Sequence, residues 1–197
     1  MRLDGTDLFK LSRELPSSIM QAFRYYGTDI ALGGECIRKI IMDEPVEEYD
    51  IYISNKSGIE PADIIDYLEE YEQFLPYKVK FIINEFKQPY DLLNKMAFTI
   101  ESAAMTYDNG SWNPHCHDRF YVDNIGKRIR CLDEVGGISR LLKVLEYKKK
   151  DYSINNIELA KILAEIVEES EIDEEESKTG LMLRYIEMLD AIKPDYE

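Results

Sequence analysis

Apolar residues recur at helical spacing through the first 25 positions, at Leu8, Leu11, Leu15, Ile19, Met20 and Phe23. That spacing predicts amphipathic helix. Pro16 splits it in two, Gly27 ends it, and Thr6 or Asp7 is the expected cap at its start. The period then changes. "DIAL" is a short apolar run that reads as a buried strand, Gly33-Gly34 is a turn, and "ECIRKIIM" is about two turns of helix. "EEYDIYIS" alternates as a strand, with Glu48, Asp50 and Tyr52 on one face and Tyr49, Ile51 and Ile53 on the other. "EPADIIDYLEEYEQFL" reads as a helix with Pro61 in its first turn, "YKVKFIINEF" as a strand, and "YDLLNK" as a turn or short helix.

"AFTIESAAMTYD" begins strand-like, and its Ala-rich middle leaves the type open. "NGSWNPHCHD" has loop composition, and "RFYVDN" and "KRIRCLD" read as hairpin arms around "IG". From Gly137 the pattern is helical: "ISRLLKVLEYKKK", "NNIELAKILAEIVEES" and "TGLMLRYIEMLDAI". The acidic run "EIDEEES" before the last of these is a solvated linker or helix end. The order predicts an α+β fold. A mixed sheet flanked by helices fills residues 1–136, and a helical segment, residues 137–197, packs on it.

Composition narrows the partners. The chain has 197 residues, 45% hydrophobic, enough for one well-packed core. A net charge of −15 disfavours non-specific adhesion to nucleic acid or anionic membranes. Cys36, Cys116 and Cys131 are an odd count at unrelated spacings, which suits reduced thiols and a cytoplasmic location. No apolar run approaches membrane-spanning length, and no signal peptide is visible.

The candidate chemistry lies in "LGGECIRKIIMDEPVEEYDIYI". Glu48 and Asp50, at i and i+2 of a strand, project two carboxylates the same way. Such a pair is tolerated if wet, or if a cation neutralises it; Mg²⁺ takes hard oxygen ligands and keeps positions open for phosphate. Gly33 and Gly34 would let the backbone approach a triphosphate, and Arg38 on the following helix would add positive charge. The plain alternative is a tight turn beside an edge strand with a wet face.

The order Gly-Gly, helix, acidic strand resembles the nucleotidyltransferase domain of the DNA polymerase β superfamily. It is closest to the branch of tRNA nucleotidyltransferases (CCA-adding enzymes) and bacterial poly(A) polymerases. That branch carries Gly-Gly-x-x-Arg-Asp, then Asp-x-Asp on the next strand, then an Arg-Asp-Phe-Thr-Ile-Asn-like segment. "KMAFTIESAAMTYD" is similar to the last of these, with Phe98, Thr99 and Ile100 in place, and "RLLKVLEYKKKDYSI", beginning at Arg140, is similar to the helix that follows. The departures are Glu48 for the first catalytic aspartate, Lys39 for the aspartate after the helix arginine, Ala97 for the aspartate before Phe-Thr, and Glu101 for the asparagine.

The resemblance implies a small Mg²⁺-dependent nucleotidyltransferase that binds ATP or another NTP and moves NMP to a hydroxyl acceptor on RNA, protein or a small molecule. Glu48 and Asp50 would hold metal and carry catalysis, with Glu85 as a third carboxylate and Glu101 as second choice for it. Gly33, Gly34, Arg38 and Arg140 would support the triphosphate. The alternative is a decayed domain of the same fold whose acidic surface docks a protein partner. Outside this constellation, His115, Cys116, His117 and Asp118 read first as a polar loop and only second as metal ligands. Trp112 reads as a loop anchor, or as a platform for a base. Lys127, Arg128, Arg130, Lys143 and Lys148 to Lys150 would either guide phosphate or balance nearby acids.

Overall fold

Asp4, whose side chain accepts from the Thr6 amide at 2.8 Å, caps the first helix, two to three residues earlier than the sequence suggests. This helix, α1, spans Gly5–Glu14, and Pro16 starts α2, Ser17–Tyr26, which Gly27 ends at a φ of +58°. The computed structural model describes residues 1–55, 58–72, 77–132 and 136–169. The acidic run and the helix expected after it lie outside the described residues.

Strand β1, Ile30–Gly33, leads into α3, Glu35–Ile41, and then β2, Glu48–Ser54. Helix α4, Pro61–Glu72, crosses to β3, Lys78–Asn84, which runs parallel to β2. A 3₁₀ turn, Pro89–Lys95, follows, then β4, Ala103–Asp108, and β5, Ser111–Cys116. The sheet order is β3-β2-β1-β4-β5, antiparallel except for β2 and β3. This is the mixed α+β sheet the sequence predicts.

Two sequence expectations are corrected. "NGSWNPHCHD" is not a loop: Asn109 and Gly110, both at positive φ, make a tight turn and Ser111–Cys116 pairs along β4. Pro114 is tolerated there because β5 is an edge. "RFYVDN" is not a hairpin arm but α5, Phe120–Ile125. The short β6, Arg128–Ile129, pairs instead with β7, Ser153–Ile154, in parallel.

One face of the sheet, with Ile30, Leu32, Tyr49, Ile51, Ile53 and Met105, packs on the helices of the N-terminal half. On the other face, Ala31, Tyr52 and Ala104 are covered by Phe86 and the 3₁₀ turn through Leu92, Leu93 and Met96. A third apolar cluster joins Ala97, Phe98 and Ile100 to α6, Gly137–Lys148, and α7, Asn156–Glu169. The C-terminal helices thus share their core with the segment preceding β4. Gly137 allows the close approach of α6 to α7, since a Cβ there would lie 2.7 Å from Ile166. No described helix is long and apolar enough to cross a membrane.

The stretch 97–102 is strand-like only at its start, where Phe98 bridges Cys131. Buried side chains then fix it as a turn. Asp123, with no exposed surface, accepts from Thr99 at 2.7 Å and from Arg130 at 3.1 Å. Asn124 donates to Ile100 O at 2.9 Å and accepts from Tyr152 at 3.2 Å. This network carries Glu101 to the edge of the carboxylate strand's surroundings.

Candidate active site

The register of β1 on β2 places Gly33 opposite Asp50. Gly34 follows at φ +84° and ψ −148°, a conformation in which a side chain is strained. A Cβ on Gly34 would stand 2.8 Å from Asp50 Oδ2, so the carboxylate occupies room that only glycine leaves at this turn. The Cys36 thiol donates back to Gly33 O at 3.3 Å and helps fix the bend.

A cleft of about 630 Å³ opens beside Asp50, lined also by Glu35, Lys39, Glu48, Tyr77 and Lys78 among others. Burial grades along the strand face. Glu48 is exposed, Asp50 half-buried, and Tyr52 buried under the 3₁₀ turn. Burial pushes the Asp50 carboxyl up to about 6, with Glu48 and Glu101 adding to the rise and Lys80 and Lys143 opposing it.

Arg38 lies elsewhere than a triphosphate cradle would need. It has no exposed surface, and its Nη1 and Nη2 donate to Glu44 at 2.6 and 2.7 Å. Its guanidinium sits 5.2 Å from the Tyr147 ring centroid. Arg140 is likewise spent, donating to Leu132 O at 2.6 Å and to Glu165 at 2.7 Å, where it ties α6 to α7. Both guanidinium groups brace helices behind the cleft.

Glu85 is corrected as the third carboxylate. Strand β3 runs parallel to β2, with Lys80 opposite Asp50 and Asn84 opposite Ser54. Glu85 therefore lies five residues along from the level of Asp50, about 16 Å away at the strand rise. Its backbone carbonyl accepts from Lys95, at the other end of the sheet. Glu101, the second choice, is within electrostatic reach of Asp50 but only 2% exposed. Its carboxylate accepts from Lys143 at 3.0 and 3.1 Å and from the Tyr147 hydroxyl at 2.9 Å. Burial alone would lower Lys143, but Glu101, Asp50 and Glu35 outweigh it and raise its pKa.

The remaining candidates are structural. Trp112 packs edge-on against Phe23 and Tyr107, with centroids 5.1 and 4.9 Å away. His115 pairs with Asn113, and His117 Nδ1 accepts from the Arg119 amide. Among the described residues, no three His, Cys, Asp or Glu side chains stand close enough to hold a metal ion between them.

Sequence reading missed Glu35. Three residues separate Gly34 from Arg38, whereas the Gly-Gly-x-x-Arg-Asp pattern has two. With the arginine and the helix behind it in register, Glu35 takes the second glycine's place. The spacing was the available signal. Glu35 lines the cleft, and its Oε1 lies 3.4 Å from Arg38, 3.5 Å from Lys39 and 3.6 Å from Lys150.

The donor set fits a divalent cation. Glu48 and Asp50 offer hard oxygens on one strand face, and Asp50 is a half-buried acid whose burial, with Glu48 and Glu101, outweighs the opposing Lys80 and Lys143. Mg²⁺ characteristically takes one or two carboxylates and completes its shell with water and substrate phosphate.

No protein-family model matches the chain, and no curated protein does. Solved structures do. A Thermotoga maritima CCA-adding enzyme complexed with tRNA matches at a TM-score of 0.60 and 16% identity, over 94% of this chain and 54% of that one. A CCA-adding enzyme complexed with CTP matches at a TM-score of 0.57 and 15% identity, over 81% and 44% of the two chains. A tRNA nucleotidyltransferase complexed with a primer tRNA and an incoming ATP analogue matches at 0.54 and 15%, over 85% and 59%. The likeness establishes the fold: this chain has the nucleotidyltransferase fold of the CCA-adding enzymes. It spans about half the length of the first of these structures.

Proposed function

We propose that the protein is a small nucleotidyltransferase that binds a magnesium nucleoside triphosphate in the cleft between α3 and β2 and transfers NMP to a hydroxyl acceptor. The observation that carries this reading is the close approach of Asp50 to the Gly34 turn, where a side chain would collide with the carboxylate, with Glu48 two residues away on the same face. Magnesium, held by Glu48 and Asp50, would supply Lewis-acid activation and charge neutralisation. The glycine turn gives the phosphates room beside Asp50, and Lys39 and Lys78 offer charge at the cleft wall. Arg38 and Arg140 act from behind, by holding α3 and α6 in place. In the transfer, the acceptor oxygen bonds to the α-phosphorus as the bridge to the β-phosphate breaks, pyrophosphate leaves, and the hydroxyl proton passes to solvent.

A second reading has its own support. Glu35 in the second glycine position and Lys143 clasped by Glu101 place internal ion pairs where a nucleotide site is usually open. That arrangement suits a fold retained as an acidic module that docks a protein partner. Calorimetric titration with ATP and CTP, with and without Mg²⁺, separates the two. Metal-dependent binding that Asp50→Ala abolishes supports the enzyme, and no nucleotide binding supports the module. Transfer of label from each of the four NTPs into total RNA and total protein then identifies the acceptor.

A further inference from the structure

Three basic side chains and two acids meet on α3 and beside it, and two of the five, Glu35 and Lys39, reach the cleft. Arg38 is closed on both terminal nitrogens by Glu44, which also meets Lys150 at 3.4 Å. Glu35 takes what is left: a single oxygen, Oε1, receives Arg38, Lys39 and Lys150 at 3.4, 3.5 and 3.6 Å. Burial alone would raise the Glu35 carboxyl, but Lys39, Arg38, Lys150 and Lys143 outweigh it and hold it below the usual range. Cations drawn from α3 and from the turn after α6 thus converge on one anion, and the chain itself provides that anion. Lys39 and Glu35 both line the cleft that holds Asp50 and Glu48.

We infer that Glu35 is an internal occupant of a polyphosphate subsite formed by Lys39 and Lys150. In the free protein it meets both ammonium groups, sharing Lys150 with Glu44, and the phosphates of an incoming ligand must displace it to gain them. The inference rests on the nucleotidyltransferase reading for its location and names what that site discriminates: linear polyphosphate esters enter only against a resident carboxylate. The physical reason is direct. A phosphate oxygen and the Glu35 oxygen compete for the same ammonium charges, and the two anions repel in a cleft that already holds Glu47, Glu48 and Asp50. Affinity for polyphosphate is therefore set low by one side chain. Arg38 stays with Glu44 throughout.

The test uses inorganic tripolyphosphate, which carries no base or sugar, titrated calorimetrically into the full chain. Glu35→Gln, close in shape and uncharged, is expected to bind it about tenfold more tightly than the parent, and adding Lys39→Met is expected to remove the gain. Glu35→Asp keeps the charge and is expected to show no gain. Melting curves of each variant confirm that the fold is intact. A Glu35→Gln affinity equal to or below the parent's, or no tripolyphosphate binding by any variant, overturns the inference. The transferase reading fails differently. If Glu35→Gln gains tripolyphosphate affinity while Mg-ATP binding ignores Asp50→Ala, the subsite stands and the transferase falls. If Asp50 governs Mg-ATP binding while Glu35→Gln gains nothing, the reverse holds.

Discussion

Gly34 and Asp50 approach so closely that no side chain fits between them: a methyl group on Gly34 would stand 2.8 Å from the Asp50 carboxylate. The bend after β1 and the acid on β2 therefore form one unit, and the space above Asp50 exists because Gly34 has no side chain. Gly34→Ala is expected to lose about 1–3 kcal/mol of stability, because its φ of +84° and ψ of −148° suit glycine almost alone. It should also displace Asp50 and abolish Mg-ATP binding. Urea denaturation and titration with Mg-ATP read the two effects, and parent-like values in both would contradict the close approach.

Asp50 gives the protein a pH dependence of defined sign. Its folded pKa, about 6, lies above its ordinary value of 3.8. Between those values the folded state binds more protons than the unfolded one, so this group's contribution makes stability fall as pH rises through 6. Asp50→Asn removes the burden. It is expected to be more stable than the parent by roughly 1–3 kcal/mol at pH 8, with the advantage vanishing toward pH 4. Denaturant curves at both pH values check the sign. Mg²⁺ should stabilise the parent against denaturation more than the variant, since only the parent keeps both acids.

The Arg38–Glu44 pair is expected to be asymmetric. Arg38 has no exposed side-chain surface, while Glu44 is 29% exposed. Glu44→Ala strands a buried guanidinium with only the longer contacts to Glu35 and the Tyr152 hydroxyl, and should cost about 3–5 kcal/mol. Arg38→Met leaves a carboxylate that reaches water and Lys150 and keeps packing against Tyr147, so its cost should be smaller. Equilibrium unfolding of both variants checks the order, and a larger loss for Arg38→Met would contradict it.

Much of the site was legible because it is local. The Gly-Gly bend and the alternation from Glu48 to Ser54 are set by neighbouring residues, and both occur where the sequence puts them. Glu85 was not legible, because its distance from Asp50 depends on the parallel register of β3, which is fixed by the α4 crossover and not by the strand's own pattern. The fate of Arg38 was hidden for a similar reason: Glu44 folds back on it from beyond the end of α3, and Tyr147 and Tyr152 arrive from more than a hundred residues away. The stretch from Phe120 misled because its apolar residues suit a strand or a short helix equally. The buried network of Asp123 and Asn124 decides for the helix. Glu35 was legible in the spacing to Arg38 and was masked by the adjacent glycine pair.

The most direct test of the central claim is calorimetric titration of the parent and Asp50→Ala with ATP and CTP, in the presence and absence of Mg²⁺. The account predicts heat of binding for the parent that requires Mg²⁺ and disappears in Asp50→Ala while the variant remains folded. Nucleotide binding that persists in Asp50→Ala, or a folded parent that binds neither nucleotide with Mg²⁺ present, would contradict it.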